Sequence, residues 1–186
     1  MAARPPGAAR PRLVRPEIRR AGPEDAGEVA RIRVETWRDA YRGIVPQATL
    51  DALSVERSQD SWARTLAAQE ASGLHLYLLA DPTGPAGYVG VGPERGQFAP
   101  CRGEVYMLYV HPAAQGRGYG RALLREGMDD LGRRGLLPAV VWVLHENPAR
   151  DFYRRMGATY VMSQTIDLGA PLVEDAYQWA SWPTHG

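Results

Sequence analysis

The sequence predicts a single domain of the α/β class, in which strand-like and helix-like segments alternate along the chain. Two observations carry this prediction. Residues 104–144 contain a strand-like run, a glycine-rich loop, a helical run and a second strand-like run in succession. That is the order of a right-handed βαβ unit, whose two strands are parallel. The chain also has 186 residues, a length that suits one domain with a substantial core.

The first part of the chain is predicted to be a tail, a short strand and several helices. Residues 1–16 are rich in Ala, Arg and Pro and have little to bury, so we expect a disordered tail before a domain at 17–183. The domain opens with the strand-like run EIRRA. Pro23 and two acidic residues then begin a helical stripe that Gly43 ends. Residues 45–71 predict two further helical segments.

The rest of the chain is richer in strands. The runs 74–80 and 86–92 flank the turn sequence DPTGP and predict an antiparallel hairpin. Beyond a loop at 93–103, the remaining segments follow in the order strand, helix, strand, helix, strand, strand, at 104–110, 119–134, 139–144, 147–157, 159–168 and 174–182. Seven strands are therefore predicted in all.

Composition and charge exclude several classes of protein. The formal net charge is +1 and the 22 basic residues are all arginine. We attribute this usage to genome composition and expect neither a nucleic-acid partner nor a membrane partner. Cys101 is the only cysteine, which excludes an intrachain disulfide and a zinc site built on several cysteines. No apolar run approaches the roughly 20 residues of a membrane span, and residues 1–16 lack the apolar core of a secretory signal, so we expect a cytoplasmic protein.

Three glycines stand where the central helix must begin. Gly116, Gly118 and Gly120 follow a strand-like run directly. The first N–H groups of a helix lack intrahelical partners and carry a positive dipole, so a phosphate satisfies both, and glycine lets it approach the backbone closely. A P-loop would need Lys and Ser/Thr after the last glycine, where this chain has Arg121 and Ala122. A dinucleotide-binding loop would need one more residue between the last two glycines.

The spacing that does fit is Gln-x-x-Gly-x-Gly, at Gln115, Gly118 and Gly120. Here the chain resembles the GNAT acyltransferase superfamily, and the resemblance extends over residues 17–182. It includes the segments IRRAGPEDAGEVARIRVETWRDAYRG, VYMLYVHPAAQGRGYGRALL and HENPARDFYRRMGA, in this order. The resemblance implies one domain with a mixed, mostly antiparallel sheet, helices on both faces, and a splayed parallel pair of strands that holds acetyl-coenzyme A. It implies no metal.

The resemblance also implies which residues hold the acetyl donor. Backbone N–H groups of the glycine loop would bind its pyrophosphate, and the end of the preceding strand would bond the pantetheine arm. Asn147 would reach the cofactor from the next helix start, where it could equally be a helix cap. The implied set is Leu108, Tyr109, Val110, Gln115, Gly116, Arg117, Gly118, Tyr119, Gly120, Arg121 and Asn147.

Two residues are candidates for proton transfer. An alkyl ammonium has a pKa of about 10 and must lose a proton before it attacks a thioester. Glu104, at the start of the strand before the loop, matches the position of a strand-borne glutamate base in the family. Tyr153 matches a family tyrosine whose hydroxyl meets the coenzyme sulfur, which makes it the candidate acid. His111 is a weaker candidate base.

The acceptor is the least defined part of the prediction. Trp37 and Tyr41, one helical turn apart, and Tyr106 are candidates for its walls, and Tyr177 and Trp179 could contribute. The acceptor would be a small-molecule amine or a peptide or protein amine. Three alternatives stay open: another acyl donor or an oxygen acceptor, a non-catalytic module that binds acyl-coenzyme A, and an RNA-binding protein. A homodimer is also possible.

Overall fold

The computed structural model describes residues 16–183, so most of the predicted tail lies outside the described residues. Seven strands form one sheet in the order β1-β2-β3-β4-β5-β7-β6, and every neighbouring pair except β4–β5 is antiparallel. The predicted α/β class and the number of strands are thus confirmed. The strands are β1 Glu17–Arg20, β2 His75–Asp81, β3 Gly84–Pro93, β4 Gly103–Val110, β5 Ala139–Leu144, β6 Thr159–Asp167 and β7 Pro171–Trp179.

Six α-helices connect these strands in the described part of the chain. The region predicted as two helical segments contains three, because Ser54 caps the middle one by accepting a hydrogen bond from the Arg57 N–H, and the last is a separate single turn. The helices are α1 Ala26–Ala40, α2 Gln47–Asp51, α3 Val55–Ala67, α4 Gln69–Ser72, α5 Tyr119–Arg133 and α6 Ala149–Arg155. None of the helices within residues 16–183 is long and apolar enough to span a bilayer.

Helices cover both faces of the sheet. Helices α1 and α3 bury Val29, Ile32 and Leu66 against the face that carries Leu76 and Tyr88. On the opposite face, α5 buries an apolar stripe against side chains of β2 and β3 that alternate with those of the first face. The members of this second layer include Tyr77, Leu79, Val89, Val91, Leu123, Leu124, Met128 and Leu131. Helices therefore pack against both faces of the sheet beside β4.

The parallel pair separates soon after it forms. β4 and β5 pair only from Gly103, opposite Ala139, to Val105, opposite Val141. At this point β4 contains a bulge, because adjacent β3 residues face Val105 and Met107, leaving Tyr106 between them. A bulge bends its strand and disrupts the ladder locally. The rest of β4 consequently diverges from β5, and a gap opens between them.

Candidate active site

A cleft of about 950 Å³ opens where β4 and β5 diverge. It extends from the last paired residues of the two strands to the glycine loop and the first turn of α5. Ten of the eleven predicted cofactor residues line it, and the exception is Arg117. The sheet thus brings β4, β5, the glycine loop and helix α6 to one place. The lining drawn from these parts includes Val105 to Val110, Gln115, Gly116, Gly118 to Arg121, Val141 to Val143, Asn147, Phe152 and Tyr153.

The glycine loop leaves the start of α5 open. Gly116 and Gly118 have φ angles of 75° and 82°, which side chains rarely adopt. Gly118 is the N-cap of α5 and no side chain caps the helix. A Cβ atom at either glycine would have no neighbour within 4 Å. The first N–H groups of a 15-residue helix therefore face free space, an arrangement that fits a phosphate group.

The free end of β4 forms one wall. Leu108, Tyr109 and Val110 line the cleft beyond the last residue that pairs with β5. The Gln115 side-chain amide donates to the Val110 carbonyl at 3.1 Å, so this carbonyl is already engaged. Gln115 thereby ties the loop to the strand that precedes it. The implied role of this stretch in holding pantetheine stays a prediction.

Asn147 has a local structural role in addition to its place in the cleft. Its side chain is buried, and its Oδ1 accepts a hydrogen bond at 2.9 Å from the N–H of Ala149, the first residue of α6. Its amide also lies near the Tyr41 hydroxyl, and both residues line the cleft. Asn147 therefore lies where the start of α6 and the end of α1 border the same cleft.

Tyr153 lies in the wall on the α6 side. Its side chain is 6% exposed and packs edge-on against Phe152 and Trp179. Burial, with a smaller contribution from Tyr109, raises the pKa of Tyr153 well above the ordinary value of 10. Its hydroxyl consequently keeps its proton at neutral pH and can act as a donor toward the cleft.

Glu104 is placed differently from the cleft residues. It is 1% exposed, yet it is not among the residues that line the cleft. Arg95 donates to its carboxylate from the backbone N–H at 3.3 Å, from Nε at 3.0 Å and from Nη2. The guanidinium lies over the ring of Tyr106 at 4.7 Å from its centroid. A proton-transfer role for Glu104 stays a prediction. In this structure the ion pair with Arg95 blocks direct contact between an acceptor amine and the Glu104 carboxylate.

The aromatic acceptor candidates fall into three groups. Tyr41 and Tyr106 line the cleft. Trp37 lies behind this wall, where its Nε1 donates to the Tyr109 hydroxyl at 2.9 Å. Tyr177 and Trp179 are packed in the core and do not line the cleft, because their strand positions face the helical layer of α5 and α6.

The weaker candidate base, His111, is held by local contacts. Its Nε2 contacts the carboxylate of Glu35, and its Nδ1 accepts a hydrogen bond from the Ala113 N–H at 3.2 Å. Both ring nitrogens are thus engaged, which favours a structural role at the entrance to the glycine loop. Residues 16–183 contain no cluster of three or more His, Cys, Asp or Glu side chains that could bind a metal.

Sequence reasoning missed several residues of the site. Thr36, Asp39 and Trp142 line the cleft, although they lie on elements whose place beside β4 is fixed only by folding. The periodicity of α1 indicates which of its faces is buried, but it gives no sign that the end of this helix borders a cleft. The sequence predicts Trp142 only as one residue of a buried strand. It borders the cleft because β4 separates from β5 beside it.

Comparisons with known proteins agree with this geometry. Residues 32–158 match the sequence model described as Acetyltransferase (GNAT) family. An uncharacterized N-acetyltransferase of Bacillus subtilis named YuaI is 30% identical over 164 residues, which are 87% of this chain and 91% of YuaI. Mycothiol acetyltransferase of Rhodococcus erythropolis is 34% identical over 142 residues, but the match covers 73% of this chain and only 44% of that protein.

Solved structures show the same fold. The PaiA N-acetyltransferase of Thermoplasma acidophilum, determined with coenzyme A, superposes with a TM-score of 0.70 at 18% identity, covering 87% of this chain and 98% of PaiA. YncA of Salmonella typhimurium, determined with acetyl-CoA, gives a TM-score of 0.71 at 21% identity, with 92% and 98% covered. The family match and the relative from Bacillus subtilis together establish that this chain belongs to the GNAT family of acetyltransferases, enzymes whose acetyl donor is acetyl-coenzyme A.

Proposed function

We propose that the protein transfers the acetyl group of acetyl-coenzyme A to a primary amine by direct attack within a ternary complex. The observation that carries this proposal is that one cleft is lined both by the open N-terminus of α5 and by Tyr153. The loop N–H groups suit the pyrophosphate of the donor, and Tyr153 is a protonated group in the same space.

Each bond change has a candidate residue. The amine first loses a proton, and we propose Glu104 as the group that takes it, directly or through water. The neutral nitrogen then forms a bond to the acetyl carbon while the carbon–sulfur bond breaks. The nitrogen is positively charged after this attack, and it releases one further proton to solvent to give the neutral amide. Tyr153 gives its proton to the departing thiolate and is reprotonated from solvent. For Glu104 to act, Arg95 has to release its carboxylate. The 56% exposure of the Arg95 side chain is compatible with such a movement.

The cleft walls favour a cationic or amphipathic amine. Tyr41, Tyr106 and Trp142 supply aromatic surface and Asp39 supplies a carboxylate, a combination that attracts ammonium groups. Both a small-molecule amine and a peptide or protein amine are compatible with this lining. The possible homodimer stays a prediction, which light scattering of the purified protein would test.

The test of the proposal is acceptor-dependent release of thiol. The purified protein is incubated with acetyl-coenzyme A and a panel of aminoglycosides, polyamines, amino acids, peptides and alcohols, and free coenzyme A is measured. Thiol release that requires an amine, together with mass gain of that amine by one acetyl group, is expected. Tight binding without acceptor-dependent release would instead indicate a binding module, and faster release from longer acyl donors would indicate another acyl group.

Gly118→Asn is expected to weaken binding of acetyl-coenzyme A by about tenfold or more while leaving the fold intact. Asn tolerates the positive φ angle that Gly118 adopts, whereas Val would add backbone strain. The new side chain would occupy the open space through which a phosphate approaches the loop. Isothermal titration calorimetry measures the dissociation constant.

Gly135→Asn is the matched control, because Gly135 follows the other end of α5 with a φ of 68° and has equally open space around it. This variant is expected to bind like wild type. If Gly118→Asn binds acetyl-coenzyme A as tightly as wild type does, the loop is not the binding site of the pyrophosphate.

A further inference from the structure

The residues that alternate with the loop glycines share one anchor outside the loop. Arg117 and Tyr119 stand between Gly116, Gly118 and Gly120 in the chain. Arg117 Nη1 donates to Asp81 Oδ2 at 3.1 Å, and the Tyr119 hydroxyl donates to the same oxygen at 3.1 Å. Asp81 is the last residue of β2, far from the loop in sequence. Both side chains therefore end on one carboxylate.

Asp81 is itself fixed by its own turn. Its Oδ1 accepts hydrogen bonds from the Thr83 N–H at 2.8 Å and from the Thr83 hydroxyl, so the two carboxylate oxygens serve different partners. The Thr83 contacts, followed by Tyr119 and Arg117, hold the pKa of Asp81 below its usual range. The carboxylate is thus ionised at neutral pH, and its side chain is only 2% exposed.

Arg117 also closes the loop on itself. Its Nη2 donates to the Ala113 carbonyl at 3.2 Å, in the turn that begins the loop. Its guanidinium is therefore shared between that turn and Asp81, and Arg117 does not line the cleft. Its positive charge is thus paired with Asp81 and is not directed into the cleft. Arg121, by contrast, does line the cleft.

We infer that Asp81 is a positioning residue that holds the pyrophosphate loop in its binding conformation before the acetyl donor arrives. Glycines give the loop its left-handed angles but leave it with a large conformational entropy in the unanchored state. Anchoring the intervening side chains on a turn of the sheet removes much of that freedom in advance, and preorganisation of this kind increases affinity. The alternation of glycine with Arg and Tyr thus has a physical reason: the backbone faces the ligand while the side chains point to Asp81.

Two effects of opposite sign compete when Asp81 is changed. Loss of the anchor loosens the loop and weakens binding. Release of the Arg117 charge would favour phosphate and strengthen binding. We expect the loss of order to dominate, because two side chains lose their partner and the Ala113 contact still restrains Arg117.

The experiment measures the dissociation constant of coenzyme A by calorimetry for the full chain and five variants, one of which is Arg117→Gln alone. Asp81→Asn is expected to weaken binding about tenfold, or about 1.4 kcal/mol, which is close to the contribution of one hydrogen bond to a charged group. Tyr119→Phe removes one anchor without changing charge and is expected to weaken binding by a few-fold. Asp81→Asn combined with Arg117→Gln is expected to bind no worse than Asp81→Asn alone, since both changes break the same contact.

Asp167→Asn is the matched control, because Asp167 accepts a hydrogen bond from the Gly169 N–H in the β6–β7 turn and has no side-chain partner in the loop. It should bind coenzyme A like wild type. With a working acceptor, Asp81→Asn should raise KM for acetyl-coenzyme A and leave kcat unchanged at saturation, a split that general damage to the fold would not produce. The calorimetric measurement needs no acceptor, so it stands even if the proposed amine chemistry fails.

Three results would overturn the inference. The first is a dissociation constant of Asp81→Asn within twofold of wild type, or below it. The second is that Arg117→Gln loses more affinity for coenzyme A than Asp81→Asn does, and as much as the double variant. That result would make Arg117 a direct phosphate ligand. The third is that Asp81→Asn and Asp167→Asn lose the same affinity for coenzyme A and show equal drops in melting temperature. That result would indicate that any damage to a β-hairpin weakens binding.

Discussion

Replacing Glu104 with glutamine is expected to lower kcat/KM at neutral pH by about 10²–10⁴-fold, the usual range for removal of a general base. The amine acceptor is almost wholly protonated near pH 7, because an alkyl ammonium has a pKa of about 10. Raising the pH supplies neutral amine without help from the enzyme, so part of the lost rate should return in alkali. A pH–rate profile of both proteins with a working acceptor measures this.

Arg95→Gln is the informative companion variant. If Glu104 serves only to hold the loop that carries Arg95, both substitutions break the same ion pair and should have similar effects on rate and melting temperature. If Glu104 takes the proton, its own substitution should cost far more activity than that of Arg95. A wild-type profile for Glu104→Gln would exclude it as the base and shift proton removal to a water chain.

Tyr153→Phe is expected to lower kcat by about 10²-fold, at the lower end of the range for general acids. The effect should be smaller than that of Glu104→Gln, because a thiol of pKa about 8.5 leaves fairly well unaided. Alkali should not restore the rate, since a higher pH supplies no proton to the thiolate. The affinity for acetyl-coenzyme A should change little, because the loop backbone is expected to bind the pyrophosphate.

The raised pKa of Tyr153 gives this prediction a pH signature. A general acid acts in its protonated form, so its deprotonation would appear as a loss of rate at high pH. Burial moves that loss above the ordinary tyrosine pKa of 10. We therefore expect kcat of the wild type to show no alkaline decline below about pH 10. A decline centred near pH 8 or 9 would assign the acid to another group.

Tyr88→Phe is the control for the tyrosine substitution. Tyr88 is also fully buried, and its hydroxyl has no hydrogen-bond partner among residues 16–183. It lies in the core between α1, α3 and the sheet and does not line the cleft. Its substitution should leave kcat unchanged. Equal losses in both variants would show that the Tyr153 effect arises from packing.

Local sequence patterns were sufficient for most of the fold. Apolar runs, turn residues and the single βαβ unit predicted seven strands, and the structure places all of them within a few residues of the predicted bounds. These signals are local, because strand and helix periodicity and the conformational demands of Gly and Pro act over a few neighbouring residues. The glycine loop was predictable for the same reason: its phosphate-binding physics depends on consecutive backbone groups.

Tertiary structure alone decided which distant side chains meet. The sequence by itself determined the class of fold, the loop at the start of α5 and a set of cleft residues that resemblance to the family indicated. It gave no sign that Asp81 anchors both Arg117 and Tyr119, or that Arg95 closes over Glu104. These contacts join segments that are distant in sequence, and the hydrophobic periodicity of each segment carries no information about the others. The contacts form only once the strands have assembled in their order and the bulge at Tyr106 has separated β4 from β5. The sequence specifies the chemistry of each side chain. Which side chains contact one another depends on distances that are set only when the sheet and helices have packed.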